Sequence, residues 1–168
     1  GTNTLIGHFR ADADPSKVTL PYDGDTDDDG INDGMEDIDH DGVKDASETD
    51  ATNYDTDGDM LPDGLEVGLT ASTNSAGTDE SSSHWKADTD PATTTDPLDD
   101  DTDDDGILDG NEDADHDGAV DALESDPNYA DTDGDGILDG TEIGLAAPQG
   151  SGTNTLIGHF RADADPSK

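Results

Sequence analysis

Residues 25–48 read DTDDDGINDGMEDIDHDGVKDASE: two twelve-residue segments back to back, each with acidic residues at positions 1, 3, 5, 9 and 12 and Gly at position 6. Alternate carboxylates on so short a stretch converge when the chain turns, and Gly at position 6 permits the positive φ that closes the turn. This D-x-[DN]-x-[DN]-G-x5-E spacing puts oxygen donors at positions 1, 3, 5 and 12. A backbone carbonyl follows at 7 and a direct or water-bridged donor at 9. Loop 1 therefore offers Asp25, Asp27, Asp29, the carbonyl of Ile31, Asp33 and Glu36, and loop 2 offers Asp37, Asp39, Asp41, Val43, Asp45 and Glu48.

Further along the chain the pattern returns four times. Loop 3 carries Asp55, Asp57, Asp59, Leu61, Asp63 and Glu66, with Met60 where Gly is expected. Loops 4 and 5 carry Asp101, Asp103, Asp105, Ile107, Asp109 and Glu112, then Asp113, Asp115, Asp117, Ala119, Asp121 and Glu124. Loop 6 carries Asp131, Asp133, Asp135, Ile137, Asp139 and Glu142. Oxygen donors without Cys, closed by a long bidentate Glu, suit a hard divalent cation, and the bidentate ligand favours calcium over magnesium. Six matches at matching spacings oppose the alternative of a solvated acidic coil.

The loops sit inside a nested repeat. GTNTLIGHFRADADPSK at 1–17 recurs unchanged at 152–168, a period of 151 residues. Loops 4 to 6 repeat loops 1 to 3 at an offset of 76, and the spacers HFRADADP at 8–15 and HWKADTDP at 84–91 follow the same offset. The expected organisation is a first half-repeat at 1–76, a second at 77–151, and the start of the next unit at 152–168. A tandem array of such units, of which this chain is a piece, accounts for the duplication and for the initial Gly.

Composition limits how such a chain can fold. Leu, Ile, Val and Phe fill 24 of 168 positions, and 46 acidic residues face six Lys or Arg, for a formal charge of −40. That combination describes a disordered chain unless cations neutralise it. Nucleic acid and anionic membranes are excluded as partners by charge, and no apolar run is long enough to cross a bilayer. The absence of Cys removes disulfides and thiolate metal sites. If free calcium stands about tenfold above each dissociation constant, linkage contributes about 1.4 kcal/mol per site, or about 8 kcal/mol for six, the scale of a whole domain. Extracellular calcium modules bind at about 10⁻⁴ to 10⁻³ M, which places the expected location outside the cell or on its surface. Six divalent ions would bring the charge from −40 only to −28. The loops use 30 of the 46 acids, and the others include Asp12, Asp14, Asp23, Asp50, Asp88, Asp90, Asp99 and Asp126. These either complete extra or shared sites or form a solvated surface.

Glu36 runs directly into Asp37 and Glu112 into Asp113, leaving no room for the entering helix of an EF-hand. Segments such as TDPLDDDTDDDGILDG and ESDPNYADTDGDGILDG resemble thrombospondin type 3 repeats of the bacterial kind, over about 20–66 and 96–145. The resemblance implies successive acidic loops wrapped around a string of calcium ions with little hydrophobic core. The Cys pairs of the animal versions are missing, and Met60 and the long spacers depart from the pattern.

The expected fold is mostly irregular, calcium-stapled and elongated. Short strands are expected at 4–11 and 18–22, and helical turns ending at Gly68 and Gly144. Phe9, Trp85 and Phe160 suit a small apolar cluster, or stacking on sugars. His40 and His116, at position 4, are expected to face solvent. Residues 70–83, TASTNSAGTDESSS, read as flexible or O-glycosylated. Carboxylate pairs are better explained by metal than by acid–base catalysis, so no enzyme is expected. The leading functional expectation is a structural unit of an extracellular bacterial fibre or stalk whose partners are neighbouring repeats. The alternatives are a calcium-dependent adhesin that meets glycans, a protein-docking module, or an acidic ion buffer.

Overall fold

A computed structural model describes residues 11–150. Its only regular elements there are four single helical turns, α1 (Asp33–Glu36), α2 (Asp63–Glu66), α3 (Asp109–Glu112) and α4 (Asp139–Glu142). They are positions 9–12 of loops 1, 3, 4 and 6. No strand occurs among the described residues. The expected strand at 18–22 is replaced by a turn. The Leu20 amide donates to Thr26 Oγ1 at 2.9 Å and its carbonyl accepts from Asp23 at 3.0 Å, so its backbone groups are used locally. The strand expected at 4–11, Phe9, Phe160 and the repeat start at 152–168 lie outside the described residues, apart from Ala11.

All six loops share one internal geometry. The amide at position 6 donates to the carboxylate at position 1 over 2.8 to 3.2 Å. The amide at position 7 donates to the carboxylate at position 5 over 2.7 to 3.0 Å. Position 4 is left-handed throughout, occupied by Asp28, His40, Gly58, Asp104, His116 and Gly134. Asp and His tolerate that region better than most residues, which rationalises the restricted set.

Loops 1, 3, 4 and 6 are distinguished by Thr at position 2 and Gly at position 10, where loops 2 and 5 have Ile38 or Ala114 and Ala46 or Ala122. The Thr amide donates to the position-9 carboxylate at 2.7, 2.8, 2.8 and 3.1 Å in turn. The position-9 amide in turn reaches the carbonyl just before position 1, at 2.9 to 3.3 Å. This double closure starts the helical turn. After α2 and α4 the chain leaves through Gly68 (φ 81°) and Gly144 (φ 80°). Leu69 N donates to Gly64 O and Leu145 N to Gly140 O, the Schellman pattern that the glycines foretold.

Position 10 explains how these loops stack. A Cβ on Gly64, Gly110 or Gly140 would collide with the backbone carbonyl of Asp29, Asp59 or Asp105, respectively. Gly110 N donates to Asp59 Oδ2 at 2.9 Å and Gly140 N to Asp105 Oδ2 at 2.7 Å. Loops 1, 3, 4 and 6 thus form a ladder, each seating its helical turn on position 5 of the previous one. The apolar contribution is small: among the described residues Ile31, Ala51, Leu61, Leu65 and Ile107 are the buried hydrophobic ones, and three of them are position 7 of ladder loops.

The spacers lie against the loops. Thr73 donates through its amide and hydroxyl to Gly30 O, at 2.8 and 2.9 Å. Thr78 Oγ1 bonds Asp25 Oδ2, and Asp79 N donates to Asp28 Oδ1 at 2.7 Å. The expectation of a flexible 70–83 is corrected accordingly, because its hydroxyls and amides satisfy loop 1. Trp85 packs its ring on Gly30, and His84 stacks on Tyr54 with centroids 4.0 Å apart.

The ladder makes a sign-reversing expectation for one substitution. Gly110→Ala should destabilise the metal-loaded chain by about 1–3 kcal/mol, as overpacking against backbone does. Gly34→Ala, at the same loop position but with only ordinary contacts to Asn32 and His40, should be neutral or stabilise by up to about 1 kcal/mol. Thermal unfolding of the two variants in calcium provides the comparison; equal losses would rule the ladder out.

Candidate metal centres

The loop geometry gathers carboxylates close together. Oxygens of Asp25, Asp27 and Asp29 lie within 4.8 Å of one another, as do those of Asp37, Asp39 and Asp41, and of Asp55, Asp57 and Asp59. Two further clusters cross between loops: Asp29, Glu36 and Asp63, and Asp59, Glu66 and Asp109. Position 9 of one ladder loop therefore joins positions 5 and 12 of the loop before it. Spacing within a single loop could not reveal this sharing.

Burial makes these clusters fit a cation. Asp29, Asp59, Asp63, Asp105 and Asp109 are fully buried, and Glu36, Glu66 and Glu112 are 2% exposed. Oxygens of Asp25, Asp27, Asp29, Glu36, Asp57, Glu66, Asp103, Asp109 and Glu112 are buried without a hydrogen-bond partner. An unpartnered buried carboxylate oxygen is costly unless a cation faces it. The six position-7 carbonyls, from Ile31 to Ile137, accept no backbone amide among the described residues, which leaves them for a ligand.

Desolvation, reinforced by neighbouring Asp, raises these carboxyls in the ion-free fold. Glu66 is pushed up to about 11, Glu36 to about 10, Glu112 to about 9, and Asp29 and Asp103 to about 8. Asp27, Asp57, Asp59 and Asp109 reach about 7. Asp63 and Asp101 reach about 6. Burial also raises Asp25 and Asp105.

Loops 2 and 5 are built differently at their ends. Glu48 accepts from the amides of Ile38 and Asp45, both at 2.9 Å, and Glu124 from Ala114 and Asp121 at 3.1 and 2.8 Å. Their position-12 carboxylates thus do the closing that Thr and Asp do elsewhere, while Asp45 and Asp121 are exposed. In loop 6, Asp139 is buried under loop 4, whereas Asp135 and Glu142 are exposed. Glu142 is nonetheless raised by desolvation and by Asp133, Asp135, Asp139 and Asp131 around it. In loop 5, Asp115 is raised by desolvation, then by Asp117, Glu124 and Asp113.

The remaining acids divide. Asp50 pairs with Lys17, and Asp14 accepts from Ser16, which holds its carboxyl low. Asp88 is 5% exposed with Oδ2 unpartnered, beside Gly118 of loop 5. His40 is exposed as expected, but His116 is half-buried and its Nε2 lies 3.0 Å from Gly110 O. The solvent-facing expectation for His116 is corrected: the direct run of loop 4 into loop 5 brings the Gly110 carbonyl within its reach. Met60 has φ 95°, close to Gly106 at 98° and Gly136 at 97°, and keeps the common loop bonds. Loop 3 is therefore undistorted but strained.

No protein-family model matches the chain, and no curated protein or solved structure proves similar to it.

Two outcomes follow from this chemistry. Met60→Gly should relieve about 1 kcal/mol of left-handed strain and raise the melting temperature in calcium; an unchanged or lower value would contradict the strain. The carboxyls are raised in the fold above an unfolded value of about 4. The ion-free fold therefore holds protons that the unfolded chain has released, and its stability falls as pH rises from about 4 through the raised values. Metal ligation needs the ionised forms, so it reverses the trend. Residual order in chelator, read by circular dichroism, should be greater at pH 5 than at pH 8, and melting temperatures in millimolar calcium should show the opposite.

Proposed function

We propose that this chain is a calcium-stapled structural repeat, a unit of an extracellular bacterial surface fibre or stalk related to the thrombospondin type 3 repeats. The observation that supports it most is the ladder of buried carboxylates: among the described residues, the largest fully buried side chains are Leu65 and eight acids. No hydrophobic core of ordinary size competes with them for the role of organiser.

Calcium suits the donor set better than magnesium. Six or more oxygens, two of them from a bidentate Glu and some from carbonyls, match a large ion with flexible coordination, whereas magnesium demands near-octahedral geometry and keeps its waters. Asp25, Asp27, Asp29, the Ile31 carbonyl and Glu36, with Asp63 from loop 3, would hold the first ladder ion, and loops 3 and 4 repeat the arrangement. The ion's role is electrostatic: it neutralises converging charge and ties one loop to the next. Such sites fill in millimolar calcium, and this supports an extracellular placement. Ladder loops that each seat on the ladder loop before them suit a quasi-one-dimensional rod.

Circular dichroism, protease digestion and small-angle scattering in chelator and in calcium test this reading. Calcium should confer protease resistance and convert an expanded chain into a rod, and magnesium at equal concentration should do so less effectively. Identical behaviour with and without calcium, or a calcium-loaded radius of an ordinary globule of this length, would overturn it.

A further inference from the structure

Among the described residues the ladder has two open ends, and they are complementary. At inner junctions, Gly64, Gly110 and Gly140 are buried against position 5 of the loop before. Gly34 of loop 1 is exposed and meets no earlier loop. At the other end, positions 5, 7 and 12 of loop 6 are uncovered. Asp135 and Glu142 are exposed where Asp29, Asp59 and Asp105 are 0% exposed and Glu36, Glu66 and Glu112 are 2% exposed. Ile137 is 45% exposed, against 8% for Ile31 and 3% for Leu61 and Ile107.

The covering that loop 3 receives shows what loop 6 lacks. Thr95 donates to Glu66 through its amide at 3.1 Å and its hydroxyl at 3.0 Å, and Thr94 and Pro91 pack on Gly68. The residues 76 positions before these are Thr19, Val18 and Pro15. All three are exposed, and Gly144, the counterpart of Gly68, has nothing within 4 Å of a would-be Cβ. The register agrees as well. Loop 4 starts 46 residues after loop 3, and with a 151-residue period the next loop 1 starts 45 residues after loop 6.

We propose that loop 6 is completed by the following copy of the repeat, forming a divalent-cation site from Asp135 and Glu142 of one unit and Asp33 of the next. This rests on the calcium reading above and deepens it. Asp33 stands where Asp63 and Asp109 stand in the two inner clusters that cross between loops, whose buried glutamate oxygens Glu36 Oε2 and Glu66 Oε2 have no protein partner. The junction extends the ladder through the tandem array, with Gly34 seated on the Asp135 carbonyl and Thr19 on Glu142.

A two-unit chain, residues 1–151 followed by 1–168, tests this in calcium. Amide exchange in loop 6 of the first unit should slow on the order of tenfold or more relative to the 168-residue chain. Asp33→Asn or Gly34→Ala in the second unit should restore fast exchange there, while either change in the first unit should leave that loop protected. The first-unit variants separate loss of the junction from damage to loop 1 itself. Calcium uptake with equal exchange in both chains, or substitutions that act alike in either unit, would overturn the junction alone. Failure of either chain to take up calcium would overturn the proposed function and the junction with it.

Discussion

Carboxylates that converge in a water-poor interior repel one another and lose hydration together, and either effect alone is enough to prevent folding of an isolated cluster. In this chain the cluster is the interior. Asp29, Glu36 and Asp63 meet where a globular protein would place Leu or Phe, and Lys and Arg are too few to answer them. A divalent cation would resolve the conflict, because it would turn mutual repulsion into shared attraction and give the unpartnered oxygens a ligand. The loop closures, the ladder and the placing of the spacers all follow from where those charges must sit.

Two kinds of loop solve the closure differently. In the ladder loops, Thr at position 2 and Asp at position 9 bracket the turn, which frees the position-12 Glu to face the cluster with an unpartnered oxygen. In loops 2 and 5, Glu48 and Glu124 take over the bracketing and accept backbone amides with both oxygens. The alternation of two ladder loops with one of the other kind is written in small residues. Gly at position 10 allows backbone to meet backbone, and Ala there does not.

The spacers are not inert connectors. Thr73, Thr78 and Asp79 donate to loop 1, and Trp85 lies over Gly30, so the scarce aromatic surface covers a glycine backbone rather than joining a separate core. Use of the Trp85 ring in this way leaves less of it for sugar stacking. It also shows why hydroxyl-rich segments of low complexity can be well placed, since buried carboxylates need donors and Thr and Ser supply them.

Much of the site was legible in the sequence because its determinants are local. A twelve-residue turn brings alternate Asp together whatever surrounds it, and Gly68 and Gly144 stop a helix by their own conformational freedom. The strand expected at 18–22 failed because β-propensity competes poorly with the Thr26 hydroxyl and a local turn. Only the tertiary structure could decide which loops touch. That Asp63 serves loop 1 and Asp109 serves loop 3 depends on contacts across 30 or more residues. Those contacts rest on a position-10 glycine whose role is the absence of an atom, and a missing Cβ acquires meaning only when the opposing carbonyl is in place.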